Sequence, residues 1–505
     1  MVTERVRHAI IGVVTLLALS VGGYIVLALF SGQSPGPGVL FTSPGSIIAI
    51  QTTGDVTVAV LGISITVVAI IVELAANRYT PRISELFVRD PINQVVMSGF
   101  VVASVVVLWI GMSIGAHPNP TPLAFTALAL ITTALVTILP YFAYVFEFLG
   151  PTAVVRRIAD RGRAAIHQTK TPKRVPGQRT RLRESVEQLG DLATKALENR
   201  DKSIVFTCLA ALEDLVVEHL QHKGKIPSEW FEVDGDLMED TDFVALDPST
   251  LQRVARRRCW VELKVLRQFQ SLMGDSLNEM RDVAHLVAVH TRRITLAALD
   301  SNDVDAARLA MKFLNTYQRA ALNAKDVRTA FHLMHEYRML AESTLQRNRP
   351  ELVVEMAGYI KFYGQSAFQA QIPFLLETAA HDLCVLIERT HLLGAACQDD
   401  LLTVLLDVDR EPDGTRAQET SLRGVRRAQV KLATWYLHHE RKDLAGRIAQ
   451  DLRAESPKRL AAIRADLEKV TEEEFHEVSD RGVHFDWLPP ERRALLADFF
   501  AMVAA

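Results

Sequence analysis

The sequence predicts an all-α protein, a four-helix transmembrane bundle followed by a cytoplasmic helical-repeat-like, solenoid-type array. Three observations predict it. Of 505 residues 49% are hydrophobic, yet nearly all the long apolar runs fall before residue 150. Beyond it, apolar positions recur at helical spacing with little strand alternation. Charge divides the chain in the same way, with a net of −1 before residue 156, +9 over 156–183 and −11 from 184 onward. The domains read as a transmembrane domain over 1–150, a basic juxtamembrane neck over 151–183, and a cytoplasmic α-helical domain over 184–505 with a loop break at about 223–247.

The first span covers about 9–30, long enough at about 1.5 Å per residue for a hydrocarbon core of roughly 30 Å. Arg5 and Arg7 before it would also suit a signal peptide. The run is longer than a usual signal segment and three more spans follow, so it is read as an uncleaved helix. Spans two to four cover about 56–75, 95–115 and 122–148. The last is long for one crossing, which implies tilt, a kink at Pro140, or emergence of its aromatic end into the interface.

Basic residues alternate between the connecting segments: Arg5 and Arg7, none in 31–55, then Arg78, Arg82 and Arg89, none in 116–121, then the neck. By the positive-inside rule this predicts a multi-pass protein of the bacterial inner (cytoplasmic) membrane with both termini cytoplasmic.

Span two carries Gly62, Thr66, Ala69, Glu73 and Asn77 at spacings of three and four, a small and polar face on an otherwise apolar helix. Such a face suits protein or water rather than lipid. Packing inside one bundle, packing between the subunits of a homo-oligomer, and lining a pathway would each present it.

At Ser64–Ala69, Tyr79-Thr80-Pro81-Arg82-Ile83, Phe87-Val88-Arg89-Asp90 and Asn93-Gln94 the chain resembles an uncharacterised bacterial family of predicted membrane proteins, a domain of unknown function, of which it would be a divergent member. The resemblance implies four N-terminal transmembrane helices plus a cytoplasmic part, and it marks Tyr79, Thr80, Pro81, Arg82, Arg89 and Asp90 as the shared turn. Thr80 stands where the family usually has Ser. Ala196-Leu197-Glu198-Asn199-Arg200-Asp201 keeps the Ala-Leu of the family's Ala-Leu-Ser-Pro-Gly-x-Asn-Asp-Pro stretch without its prolines and glycine. No activity is attached to the family, so the resemblance implies architecture and no chemistry.

In the neck, Arg156, Arg157, Arg161, Arg163, Lys173 and Arg174 are expected to meet anionic lipid headgroups, each contributing about 1 kcal/mol. Aromatic interleaving and a folded nucleic-acid motif are both missing, so no nucleic-acid partner is expected.

The array carries no recognisable catalytic signature, and an enzyme is not expected. Gly32-Gln33-Ser34-Pro35-Gly36 spells GxSxG but follows a membrane helix and lacks the strand–turn–helix setting of a nucleophile elbow. Four cysteines without a CxxC pair argue against a disulfide framework or a zinc site and suit buried apolar positions. Asp234, Asp236, Glu239, Asp240 and Asp242 fail the register of a calcium loop and read as a solvated loop or partner contact. His332-Leu333-Met334-His335-Glu336 matches no zinc helix, and His219 with His222 lacks a third ligand nearby in sequence. No catalytic residue, metal ligand or cofactor is therefore assigned.

Asp305–Ala310 and Asp443–Ala449 resemble the small-residue face of tetratricopeptide-type helices, arrays that bind proteins. The segment Ser479 to Arg492 reads as a loop pinning the last helix, or as a partner motif. Together these readings predict a membrane-anchored scaffold or sensor with a protein-binding helical cytoplasmic domain; the alternative is an oligomeric ion or small-solute channel with the polar face of span two lining the pathway.

Overall fold

The computed structural model describes residues 18, 44–78, 84, 87–113, 121–233, 235–409, 416–473 and 484–505. Among the described residues there are helices and turns and no strand. The chain divides into two compact units, Met1–Arg157 and Ile158–Ala505.

The first unit packs α1 (Pro44–Arg78), α2 (Pro91–Ser113) and α3 (Thr121–Phe148) so that each touches the other two. Stretches of all three, Thr52–Asn77, Pro91–Ser113 and Pro122–Phe148, are long and apolar enough to cross a membrane. Apart from residue 18, the expected first span over 9–30 lies outside the described residues, as does the turn Tyr79, Thr80, Pro81, Arg82. α1 buries a stripe of Gly54, Thr57, Leu61, Ser64, Val68 and Val72, where a Cβ on Gly54 would stand 3.0 Å from Val107. Ile63, Ile70, Leu74, Val101, Trp109, Met112 and Leu139 stay exposed. That apolar outer surface would be an aggregation hazard in water and is the ordinary face of a helix in lipid.

The second unit begins inside α4 (Pro151–Gln168) and continues through α5 (Val175–Glu198), α6 (Lys202–His222), α7 (Pro248–Arg256), α8 (Trp260–Ser276), α9 (Arg281–Asp300), α10 (Val304–Asn323), α11 (Val327–Gln346), α12 (Pro350–Gln369), α13 (Phe374–Leu392), α14 (Gln398–Leu406), α15 (Arg416–His438), α16 (Lys442–Leu452), α17 (Pro457–Lys469) and α18 (Leu496–Ala504). Alternate helices stack on each other. α6, α9, α11, α13 and α15 form one layer, α8, α10, α12 and α14 the other, and sequential neighbours close the hairpins. This is the two-layer arrangement of a helical array.

A recurring turn explains the stacking. Arg200, Asn302 and Lys325 adopt positive φ at helix ends, and the next residue's N–H returns to a carbonyl five positions back: Asp201 to Ala196 at 2.8 Å, Asp303 to Ala298 at 2.8 Å and Asp326 to Ala321 at 3.0 Å. That closure satisfies the last carbonyls of one helix. The aspartate then caps the next, accepting from the N–H of Ile204, Ala306 or Thr329. One left-handed residue plus one Asp thus ends a helix and begins its antiparallel partner.

Three local expectations change. The helical periodicity over 249–272, which predicts one continuous helix, falls on two helices, broken where Arg258 takes φ 56°. The basic segment is largely helical, because Pro176 falls in the first turn of α5, where a missing N–H costs nothing. The break at 223–247 is not a solvated loop. Trp230, Phe231, Leu237 and Phe243 are buried, and short helical turns at Lys223–Lys225, Ser228–Phe231 and Gly235–Met238 fold it against the array. All four cysteines are free thiols in buried positions.

Candidate functional site

The family-like segment builds a polar cluster at the end of the spans. Asp90 caps α2, its Oδ2 accepting from the N–H groups of Ile92 and Asn93 at 3.1 Å each. The same oxygen accepts from the Tyr144 hydroxyl at 2.5 Å. Buried Asn93 donates through Nδ2 to the Phe87 carbonyl at 3.1 Å and accepts at Oδ1 from the Tyr141 hydroxyl at 2.5 Å. Around this network Phe87 meets Phe148 edge-on at 5.3 Å, and Phe100 meets Tyr141 edge-on at 5.8 Å. Arg157 closes it, donating to the Phe148 carbonyl at 2.8 Å with its guanidinium 3.6 Å above the Phe148 ring. The two tyrosine bonds tie α3 to the start of α2, which makes the cluster a latch. It offers no reactive geometry.

Asp90 of the shared turn therefore has a visible role, and Arg89 is exposed beside it. Tyr141 and Tyr144 belong to the aromatic end whose emergence into the interface is one of the three accommodations that the length of span four implies. They turn inward instead, because burying a phenol beside a carboxylate and an amide satisfies all three. The signal in the sequence was two tyrosines one helix position short of a full turn apart, which the Asp90 and Asn93 pair matches.

The intramembrane polar face lies elsewhere. Gly62, Thr66, Glu73 and Asn77 are all exposed, pointing away from the stripe that α1 buries. Thr66 donates to the Gly62 carbonyl at 3.0 Å, within its own helix, as Thr126 and Thr137 do on α3. No part of this face enters the packed centre of the described bundle.

Of the neck residues, Arg156, Lys173 and Arg174 are exposed. Arg157 belongs to the latch. Arg161 pairs with Glu184 at 2.7 Å, and Arg163 pairs with Asp160 at 2.6 Å.

In the array the acids of the former loop surround a lysine. Nζ of Lys264, fully buried, lies 2.7 Å from Asp240, 2.8 Å from Asp242 and 3.1 Å from Glu187. Burial alone would lower the Lys264 ammonium, but Asp242 and Asp240 hold it above its ordinary range. A lysine thus stands where a calcium loop would hold its ion. Beside it, Trp230 donates to His219 Nε2 at 3.1 Å, which places the other ring proton toward Glu262 at 3.1 Å. Burial would raise the Glu262 carboxyl; His219 and Lys223 hold it at about 2. His219 therefore faces the core, while His222 faces outward.

There His222 meets Glu218 and His167, a third candidate ligand that lies 51 residues before Glu218 and so is invisible to local spacing. A second cluster, Glu377, His381 and Asp486, joins α13 to the segment before α18.

Residues 13–207 match the family model described as Predicted membrane protein (DUF2254). The family resembled by the Phe87–Asp90 and Asn93–Gln94 segments is thus a predicted membrane protein family of unknown function, and the DUF2254 match contains the whole latch. It ends inside α6, so the helices beyond lie outside it. No curated protein matches the chain. A solved structure titled "Circular tandem repeat protein with novel repeat topology and enhanced subunit contact surfaces" is similar over 90% of this chain and 96% of that one, at 12% identity and a TM-score of 0.31. The array is defined by its own helix packing, independently of that likeness.

Proposed function

We propose that this DUF2254-containing chain is a membrane-anchored scaffold without enzymatic activity. In this reading its spans sit in the bacterial inner membrane with both termini cytoplasmic, and its helical array recruits a protein partner. The arginine distribution supports the orientation. The observation that carries the scaffold reading is the contrast between the two units. The bundle spends the polar groups at one end on a latch, bonds buried Thr57 and Ser64 to their own helix, and fills the rest of its interior with Leu61, Val68, Val72, Phe100 and Val107. The array keeps an open groove lined by Arg281, Lys325, Asp326, Arg328, Phe331 and Phe374, where Arg281 pairs with buried Asp326 at 3.5 Å and the two phenyl rings stack at 5.5 Å. Cations beside exposed aromatic faces suit an acidic peptide carrying an apolar anchor.

A photo-crosslinking residue at position 374 in living cells tests this. The reading expects a discrete protein adduct that Arg328→Glu removes, while a crosslinker at exposed Glu440 gives none. Identical adducts at both positions would contradict it.

A second reading is favoured by one observation, the outward direction of Gly62, Thr66, Glu73 and Asn77. An acid on the outer face of a spanning helix is costly in lipid. A homo-oligomer that turned this face inward would relieve that cost and could line an ion or small-solute pathway.

A further inference from the structure

Two of the ionisable clusters in the array already contain their cation. Lys264 occupies the one at Asp240 and Asp242. Arg427 occupies the one at Glu377 and Asp486, 2.9 Å from each carboxylate. The cluster of His167, Glu218 and His222 is built differently, since the contacts of the Glu218 carboxylate there are two imidazoles: His167 Nε2 at 2.8 Å and His222 Nδ1 at 3.4 Å. We propose that these three residues bind one divalent transition-metal ion of the zinc class, which clamps the C-terminal end of α4 to that of α6.

The ligand set selects the metal. Two imidazoles and one carboxylate are the donors that zinc takes when a fourth position stays open to water. Calcium and magnesium require mostly oxygen, so a site with two nitrogen donors disfavours them.

The geometry fits without rearrangement of the backbone. One ligand atom from each residue lies within 4.8 Å of the others, and donors about 2.0–2.1 Å from a tetrahedral ion lie roughly 3.3 Å apart. Glu218 and His222 are four residues apart on one helix face.

His167 is brought to that face by close helix packing. One helical turn earlier, Arg163 reaches Asp214 at 3.8 Å, and a Cβ on Gly162 would stand 2.9 Å from Leu215. The ligands therefore ride on two helices held in register, as a precise metal site requires.

Access is open, because the His167 side chain is 46% exposed and those of Glu218 and His222 are each 27% exposed. Glu218 and His222 lie beyond residue 207, so the family match does not imply the site. The proposal is also independent of whether the array recruits a partner.

Cobalt(II) titration of tag-free, chelator-stripped, full-length protein in detergent tests it. The expected result is visible d–d absorption of a four- or five-coordinate ion, saturating at one ion per chain and abolished by Zn2+. His167→Ala and His222→Ala should each weaken binding at least about tenfold, whereas Glu377→Gln should leave it unchanged. His167→Gln, which keeps the bulk and polarity of the side chain, should weaken it as His167→Ala does. Circular dichroism in metal-free buffer identifies any variant that has lost its helices. Absence of cobalt absorption with the wild type, or unaltered affinity in folded His167→Gln, would overturn the proposal.

Discussion

Tyr144 donates its phenolic proton to Asp90 at 2.5 Å across 54 residues of sequence, joining the C-terminal half of α3 to the cap of α2. The two ends of this contact differ in what they hold. Asp90 also caps two backbone N–H groups, whereas Tyr144 makes one bond. Interhelical hydrogen bonds in membrane proteins contribute on the order of 0.6 kcal/mol and up to about 1.7. Tyr144→Phe should therefore destabilise the bundle by about 1 kcal/mol. Asp90→Ala should cost about 2–3 kcal/mol, since it also removes a cap and strands a phenol. Equilibrium unfolding in mixed micelles measures both, and equal costs would show that the capping role is misassigned.

Lys264→Met leaves buried Asp242 without its counter-ion and leaves Asp240 with Arg183 alone, at 2.8 Å. Breaking a buried pair at one partner costs about 3–5 kcal/mol. Trp230 and Trp260 are buried near this site, so denaturant unfolding followed by tryptophan fluorescence reports the loss directly. A shift below about 1 kcal/mol would mean that the acids are neutral or solvated.

Burial pushes the Glu377 carboxyl up from 4.5 to about 7, with Arg427 opposing part of that rise. The folded chain therefore holds a proton between these values that the unfolded chain has released. The linked stability is fully present below about pH 4.5 and is lost as pH rises through about 7, amounting to no more than about 3 kcal/mol. Glu377→Gln removes this dependence. The urea midpoint of the wild type relative to Glu377→Gln should fall steadily from pH 5 to pH 8, and a constant difference would contradict the assignment.

Gly162→Val tests the register of α4 on α6. Its Cβ would stand 2.9 Å from Leu215 and 3.2 Å from the Ser185 Cβ, both buried residues. Overpacking of this kind costs about 1–3 kcal/mol, visible as a lowered melting temperature. The same variant should weaken cobalt binding at His167, whereas Gly177→Val, where a Cβ meets nothing within 4 Å, should not.

The parts of the fold governed by local pattern were legible in the sequence. Apolar run length marked α1, α2 and α3, and helical periodicity marked most of the array. What stayed hidden was set by tertiary register. Asp240 read as a solvated acid because Lys264 lies on a different helix, 24 residues away. His222 looked solitary because His167 arrives from α4, and the role of Tyr144 stayed hidden because Asp90 lies at the far end of the preceding helix. The polar face of α1 was legible as a pattern, yet its outward direction depends on which stripe the neighbouring helices cover.

That direction carries the difference between an anchor and a pathway, and flux through proteoliposomes containing the purified full-length protein tests it most directly. The account predicts ion flux no greater than in empty liposomes, for the wild type and for Glu73→Ala alike. Flux through the wild type that disappears in Glu73→Ala, with the detergent-solubilised particle unchanged in size, would contradict it.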